Sequence, residues 1–190
     1  FSILSYMKSF ILGQPHAIVM VGIPGSGKSF FAEKFADTFN APYIEMAYFR
    51  HFAGDDKAAN ELVRRVIKEV AKTKQSMVLE VDSATRTSRT ELAKELKALG
   101  YVPLFIWVQT DIHTAATRSA KAYNMPKSEH ADRVKTFSPP HETEKALVIS
   151  GKHTYATQAR IVLKRLSGPR QEQEVRKAVP ERSATNIVLR

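Results

Sequence analysis

Apolar residues along this chain fall into short blocks separated by charged stretches with helical spacing. Residues 16–21, His-Ala-Ile-Val-Met-Val, form a short apolar run closed by Gly22, the pattern of a buried strand. Phe31, Phe35 and Phe39 then recur at four-residue spacing. They predict a helix over 29–39 that Asn40-Ala41-Pro42 stops. A short second strand is predicted over 43–46. Asp55 and Asp56 cap a long helix whose stripe is Ala59, Leu62, Val63, Val66, Ile67 and Val70. Residues 77–81 predict a third strand ending at Asp82. Ser88 and Glu91 read as a capping box opening a helix through Leu92, Leu96 and Leu99, closed by Gly100. Residues 102–108 are the most apolar strand, and Asp111 caps a helix to about Lys121. Residues 122–140 are polar and broken by Pro126, Pro139 and Pro140, so they predict a mobile loop or a short helical lid. A fifth strand over 146–149 and a helix over 154–166, with Ile161, Val162 and Leu166 inward, complete the pattern. Strands alternating with helices of this length predict an α/β fold, a parallel sheet covered on both faces.

Composition narrows the chemistry. The 190 residues contain no cysteine, which excludes a disulfide scaffold, a thiol nucleophile and a cysteine-ligated zinc site. The six histidines show no zinc-binding spacing. No apolar stretch is long enough to span a membrane, and a cytoplasmic protein is expected. The chain opens on Phe1 with helix-like apolar spacing (Ile3, Leu4, Met7, Phe10, Ile11), and its one early charge, Lys8, sits inside that run. This argues against a secretory signal and for a piece excised from a longer chain. Net charge is +10, and residues 152–190 hold nine Lys/Arg against three acidic residues. The expected organisation is one domain over 1–166 and a basic tail over 167–190. The tail is either a solvated extension or a contact for a polyanion such as nucleic acid. Oligomeric state is not legible.

One motif carries clear chemistry. Gly22-Ile23-Pro24-Gly25-Ser26-Gly27-Lys28-Ser29 matches GxxxxGK followed by Ser or Thr, between an apolar strand and an amphipathic helix. This is a Walker A phosphate loop. Glycines at Gly22, Gly25 and Gly27 let successive N–H groups of the loop, including those of Ser26 and the residues up to Phe30, face one anion. Pro24 shapes the turn, and the helix N-terminus adds positive potential. Lys28 would reach the β- and γ-phosphates of ATP, and the Ser29 hydroxyl would ligate Mg2+. Asp82 ends the third strand, where an acid would support Mg2+ or accept a substrate proton; it is otherwise a turn cap. Glu80 alternates onto the same face.

These residues, followed by Val81-Asp82-Ser83-Ala84-Thr85-Arg86-Thr87-Ser88-Arg89, by Arg118 and Lys121, and by Phe137-Ser138-Pro139-Pro140 with Glu144, resemble the P-loop kinase group often called AAA_33. That group includes the 5′-hydroxyl polynucleotide kinases and is similar to the zeta-toxin kinases. The resemblance, over about 16–166, implies a P-loop NTPase three-layer fold, a five-stranded parallel sheet of order 2-3-1-4-5, and a lid over about 118–140. It implies a metal site of Ser29 and Asp82, with Arg118 as the first lid arginine. Arg50 matches a D-x-x-R element, and Arg50, Tyr48 and Arg89 are the expected substrate contacts. The Asp of that element falls on Ala47, and the second lid arginine falls on Ala122. Glu45 or Asp82 would then supply the base, and Lys121 or Arg133 the missing lid charge. His153, after the fifth strand, falls where this fold often lines the adenine pocket, or is a solvated turn residue. Trp107 reads as core. Tyr48, Phe49, His51 and Phe52 read as core or as a base-stacking surface.

The expected function is transfer of the γ-phosphate of ATP to a hydroxyl of a nucleic-acid 5′ end or a small metabolite. Lys28, Asp82, Arg118 and Glu45 are the candidate catalytic groups. The alternative is a nucleotide-binding module with weak ATPase activity that holds a partner.

Overall fold

Strand β1 (His16–Val21) buries every residue but its first, because it lies at the centre of the sheet and is covered on both sides. The computed structural model describes residues 14–167. The expectations for the apolar N-terminal run and for the basic tail fall on 1–13 and 168–190, outside the described residues. Beside β1 lie β3 (Met77–Glu80) and β4 (Val102–Gln109), flanked in turn by β2 (Tyr43–Glu45) and β5 (Leu147–Ser150). The order is β2-β3-β1-β4-β5 and every pairing is parallel, as expected.

The period of two along β1 divides the core. Ala17, Val19 and Val21 face one layer with Met77, Leu79 and Phe105, and Ile18 and Met20 face the other with Val78, Ile106 and Ile149. The first layer is closed by α3 (Asp56–Lys72) and α4 (Arg86–Ala98). The second is closed by α1 (Lys28–Phe39) and α7 (Tyr155–Leu166), through Phe31, Phe35, Val162 and Leu166. Phe31 and Phe35 are fully inside, as their spacing predicts, with ring centroids 5.3 Å apart. A sheet buried on both faces explains why its strands read as continuous apolar runs.

Three local expectations change. Residues 46–52 leave the sheet after Glu45 and form a short helix, α2 (Met46–Phe52). The buried row of α3 is Ala59, Val63, Ile67 and Ala71, a strict four-residue repeat, which leaves Leu62 46% exposed. Helix α4 starts earlier than Ser88: Thr85 is the N-cap, and Ser88 is its third-position partner in a reciprocal pair of hydrogen bonds. Asp55, Asp111 and Thr154 cap α3, α5 (Ile112–Tyr123) and α7 with their side-chain oxygens. The polar stretch after α5 contains a helix, α6 (Lys127–Thr136), followed by a 3-10 turn at Glu142–Glu144. Among the described residues, no helix is long and apolar enough to cross a membrane.

Candidate functional site

The β1–α1 turn is held in its phosphate-loop shape from several directions. Gly25 has φ +77°, and a Cβ there would collide with the Ala115 carbonyl of α5. Gly27, the N-cap of α1 at φ +105°, offers no side-chain cap, so the first amides of the helix stay open for an anion. Behind the loop, Thr110 Oγ1 donates to the Ser26 carbonyl at 2.9 Å, and Gly151 packs against the same carbonyl. Ser26 is fully buried and its hydroxyl makes no hydrogen bond.

Lys28 Nζ donates to the Ile23 carbonyl at 3.0 Å and stands 4.0 Å from Glu80 Oε1. Burial pushes its pKa down; Glu80 opposes that shift and the charge of Arg133 adds to it. Arg133, on α6, is therefore within electrostatic reach of the loop lysine. Ser29 Oγ donates to Glu80 Oε1 at 3.0 Å, and Tyr43 OH donates to Glu80 Oε2 at 2.9 Å. Glu45 lies directly across the β2–β3 ladder from Glu80. Burial raises the Glu45 pKa, and the Glu80 and Glu33 charges raise it further. Burial and Glu80 also hold the Tyr43 phenol far above its ordinary range, so it stays a neutral donor.

Glu80, and not Asp82, is the carboxylate against the loop. Strand β3 ends at Glu80, so the two-residue alternation that would aim Asp82 the same way has already stopped. Asp82 is exposed, and its Oδ1 accepts the Ala84 amide at 3.3 Å in a turn. It lines a small separate cavity between α3 and α4 with Asn60, Arg64 and Glu91.

The remaining sequence-predicted residues divide. Arg118, exposed on α5, donates from Nη1 to the Gly151 carbonyl at 3.0 Å, beside the loop. Lys121 is exposed, further along the same helix. Arg50 is exposed and paired with Asp56 at 2.8 Å. Tyr48 and Phe52 form a surface pair, 62% and 67% exposed with centroids 5.0 Å apart, whereas Phe49 packs on the core. Arg89 is 1% exposed and is not free for a substrate. It makes a two-pronged pair with Glu144 at 2.6 and 3.0 Å, and its Nη1 serves the carbonyls of Ser83, Ala84 and Ser138. Phe30 is exposed beneath Lys34, and His153 is exposed in the β5–α7 turn. Next to the loop, a cavity of about 660 Å3 opens beside Ile23, walled by Trp107, Val134, Phe137, Val148 and Lys152. Trp107 is thus partly a wall of that cavity and not wholly core.

Fold and loop together define a nucleotide-binding P-loop protein of the kinase type. The zeta toxin family profile matches residues 6–136, most of the chain, and the protein belongs to that family. No curated protein matches it. Among solved structures it is similar to a gluconokinase from Sinorhizobium meliloti 1021, at 21% identity and a TM-score of 0.61, covering 80% of this chain and 91% of that one. It is similar also to a sugar kinase from Janibacter sp. HTCC2649, at 20% identity and a TM-score of 0.60, covering 80% of this chain and 93% of that one. At these identities the likeness is one of fold.

Two contributors had little signal in the sequence. Tyr43 reaches Glu80 only through strand register. His130, 3% exposed on α6, places its Nε2 3.1 Å from the Pro24 carbonyl.

Proposed function

We propose that the protein is an ATP-dependent phosphotransferase acting on a hydroxyl acceptor, a small metabolite or a nucleic-acid 5′ end. The observation that carries this is the contiguity of Lys28, Ser29 and Glu80 at the carboxyl edge of the sheet, with Glu45 beside them. In this reading the open amides at the start of α1, with Lys28, receive the β- and γ-phosphates. Ser29 Oγ and the Glu80 carboxylate are hard oxygen donors 3.0 Å apart, a pair suited to Mg2+, which takes few protein ligands and completes its shell with phosphate and water. When bound, Mg2+ supplies charge neutralisation of the phosphates.

Glu45 is the base we assign to the acceptor hydroxyl. Its raised pKa makes it a better proton acceptor than an ordinary carboxylate, and it sits on the strand next to Glu80. Arg118 and Arg133 supply the positive charge of the lid, with Arg133 filling the role for which the sequence left Lys121 and Arg133 open. The base of the nucleotide takes the apolar cavity beside Ile23. The chain's single tryptophan, Trp107, lines that cavity, so its fluorescence should change as Mg·ATP is titrated. Release of γ-phosphate from ATP, measured with and without candidate acceptors, tests the reading. A Lys28→Ala variant that binds ATP as tightly as wild type by calorimetry would sink it; the expected loss is at least about tenfold, or 1.4 kcal/mol.

A further inference from the structure

Helix α6 docks in an unusual way. Among its ten residues, Lys127–Thr136, the one buried side chain is polar: His130, 3% exposed. A surface helix ordinarily docks through an aliphatic stripe; here the apolar contribution on the helix is a half-buried Val134. The helix is tied down behind itself. Ser138 N donates to the Ala84 carbonyl at 2.9 Å, and the Ser138 carbonyl accepts from buried Arg89 at 2.9 Å. The contact forward, from α6 to the phosphate loop, is His130 Nε2 against the Pro24 carbonyl at 3.1 Å. A carbonyl only accepts, so Nε2 carries the hydrogen and donates it.

Two consequences follow from that bond. The Pro24–Gly25 peptide is planar and trans, so its N–H points opposite to its C=O. Holding the carbonyl toward the lid turns the Gly25 amide to the other side, and the freedom of Gly25, at φ +77°, would otherwise let this peptide flip. Arg133 follows His130 by three residues and therefore shares its side of the helix. Its charge acts on Lys28 and adds to the lowering of the lysine pKa. Glu129 accepts from Arg133 at 2.8 and 3.1 Å and braces the guanidinium from the preceding turn.

We propose that His130 is a positioning residue that latches the lid helix onto the phosphate loop, orienting the Pro24–Gly25 peptide and keeping Arg133, one turn on, on the docked side of the lid helix. The proposal rests on the reading of the loop as the ATP site, but the latch itself has a readout that does not require turnover.

The test compares wild type with His130→Ala, His130→Gln, Arg133→Ala and the His130→Ala/Arg133→Ala double variant in Mg·ATP turnover. His130→Ala should lower kcat about tenfold while raising KM for ATP less than about threefold. Gln keeps an N–H donor at similar reach and should recover most of the loss. In the Arg133→Ala background the His130→Ala change should cost no more than about threefold, because both act on one element. Hydrogen exchange of the nucleotide-free protein gives the second arm: α6 amides should exchange faster in His130→Ala, with α7 unchanged. Additive losses in the double variant, failure of Gln to rescue, or unaltered exchange in α6 would each overturn the latch. Wild-type protein that binds no ATP by calorimetry, yet shows the α6 exchange effect, would overturn the ATP reading and leave the latch standing.

Discussion

Replacing Glu80 by Gln separates the acid against the loop from the acid the strand pattern suggested. The Glu80 carboxylate accepts hydroxyl bonds from Ser29 at 3.0 Å and Tyr43 at 2.9 Å, and faces Lys28 at 4.0 Å. Gln keeps the shape and one acceptor oxygen but removes the charge. Each bond then loses its charge-assisted part, roughly 1 kcal/mol apiece. The attraction to Lys28 also goes, a gross figure of at most about 4 kcal/mol at an effective dielectric of 20. Against these stand relief of repulsion with Glu45 and removal of a charge from a half-buried site. In the resting protein the two sides nearly cancel, so the melting temperature should move by only about 3 °C. During turnover the carboxylate is needed as a charge, and γ-phosphate release should fall about 100-fold or more, near 2.7 kcal/mol. Asp82→Asn, whose carboxylate accepts the Ala84 amide in an exposed turn, should stay within about threefold of wild type. Steady-state γ-phosphate release beside a thermal melt reads both quantities. Full turnover in Glu80→Gln with a large loss in Asp82→Asn would refute the assignment and restore Asp82 as the acid of the site.

Other outcomes follow from the same contacts. Gly25→Ala forces a side chain onto a positive φ and into the Ala115 backbone carbonyl, so the loop or α5 must shift: ATP affinity should fall at least about tenfold in calorimetry, and the melting temperature should fall with it. Glu144→Gln leaves buried Arg89 without its counter-charge and should cost about 3 kcal/mol at neutral pH, read by denaturant unfolding. Glu144 has its pKa lowered, first by hydrogen bonding to Arg89. Its contribution is therefore complete above the unfolded glutamate value of about 4.3 and is lost as pH falls through the lower folded value. Wild type should lose stability between pH 6 and pH 3 more steeply than Glu144→Gln, and parallel curves would contradict the pairing.

Much of this protein is local information. The apolar block before Gly22, the aromatic face at Phe31 and Phe35, and caps such as Asp55 and Thr154 each encode an element through hydrogen bonds and burial within a few residues. The alternation of those elements sufficed for the parallel sheet, and Gly22–Ser29 for the phosphate loop. Partnership across the fold was not encoded that way. Glu80 and Ser29 are 51 positions apart, and they meet because β3 lies beside β1 and ends one residue before the pattern that pointed to Asp82 would continue. The family resemblance implies Arg89 as a substrate contact, and nothing in the linear pattern marks it as buried. Only the convergence of Glu144 and three carbonyls offsets the cost of burying it. The lid shows the same division. Its cations and prolines were visible in the sequence, but the contact of its helix with the phosphate loop, His130 against the Pro24 carbonyl 106 residues away, was not. Periodicity reports which side of an element is buried; which group lies against that side is decided by strand register and helix docking, which a linear pattern does not contain.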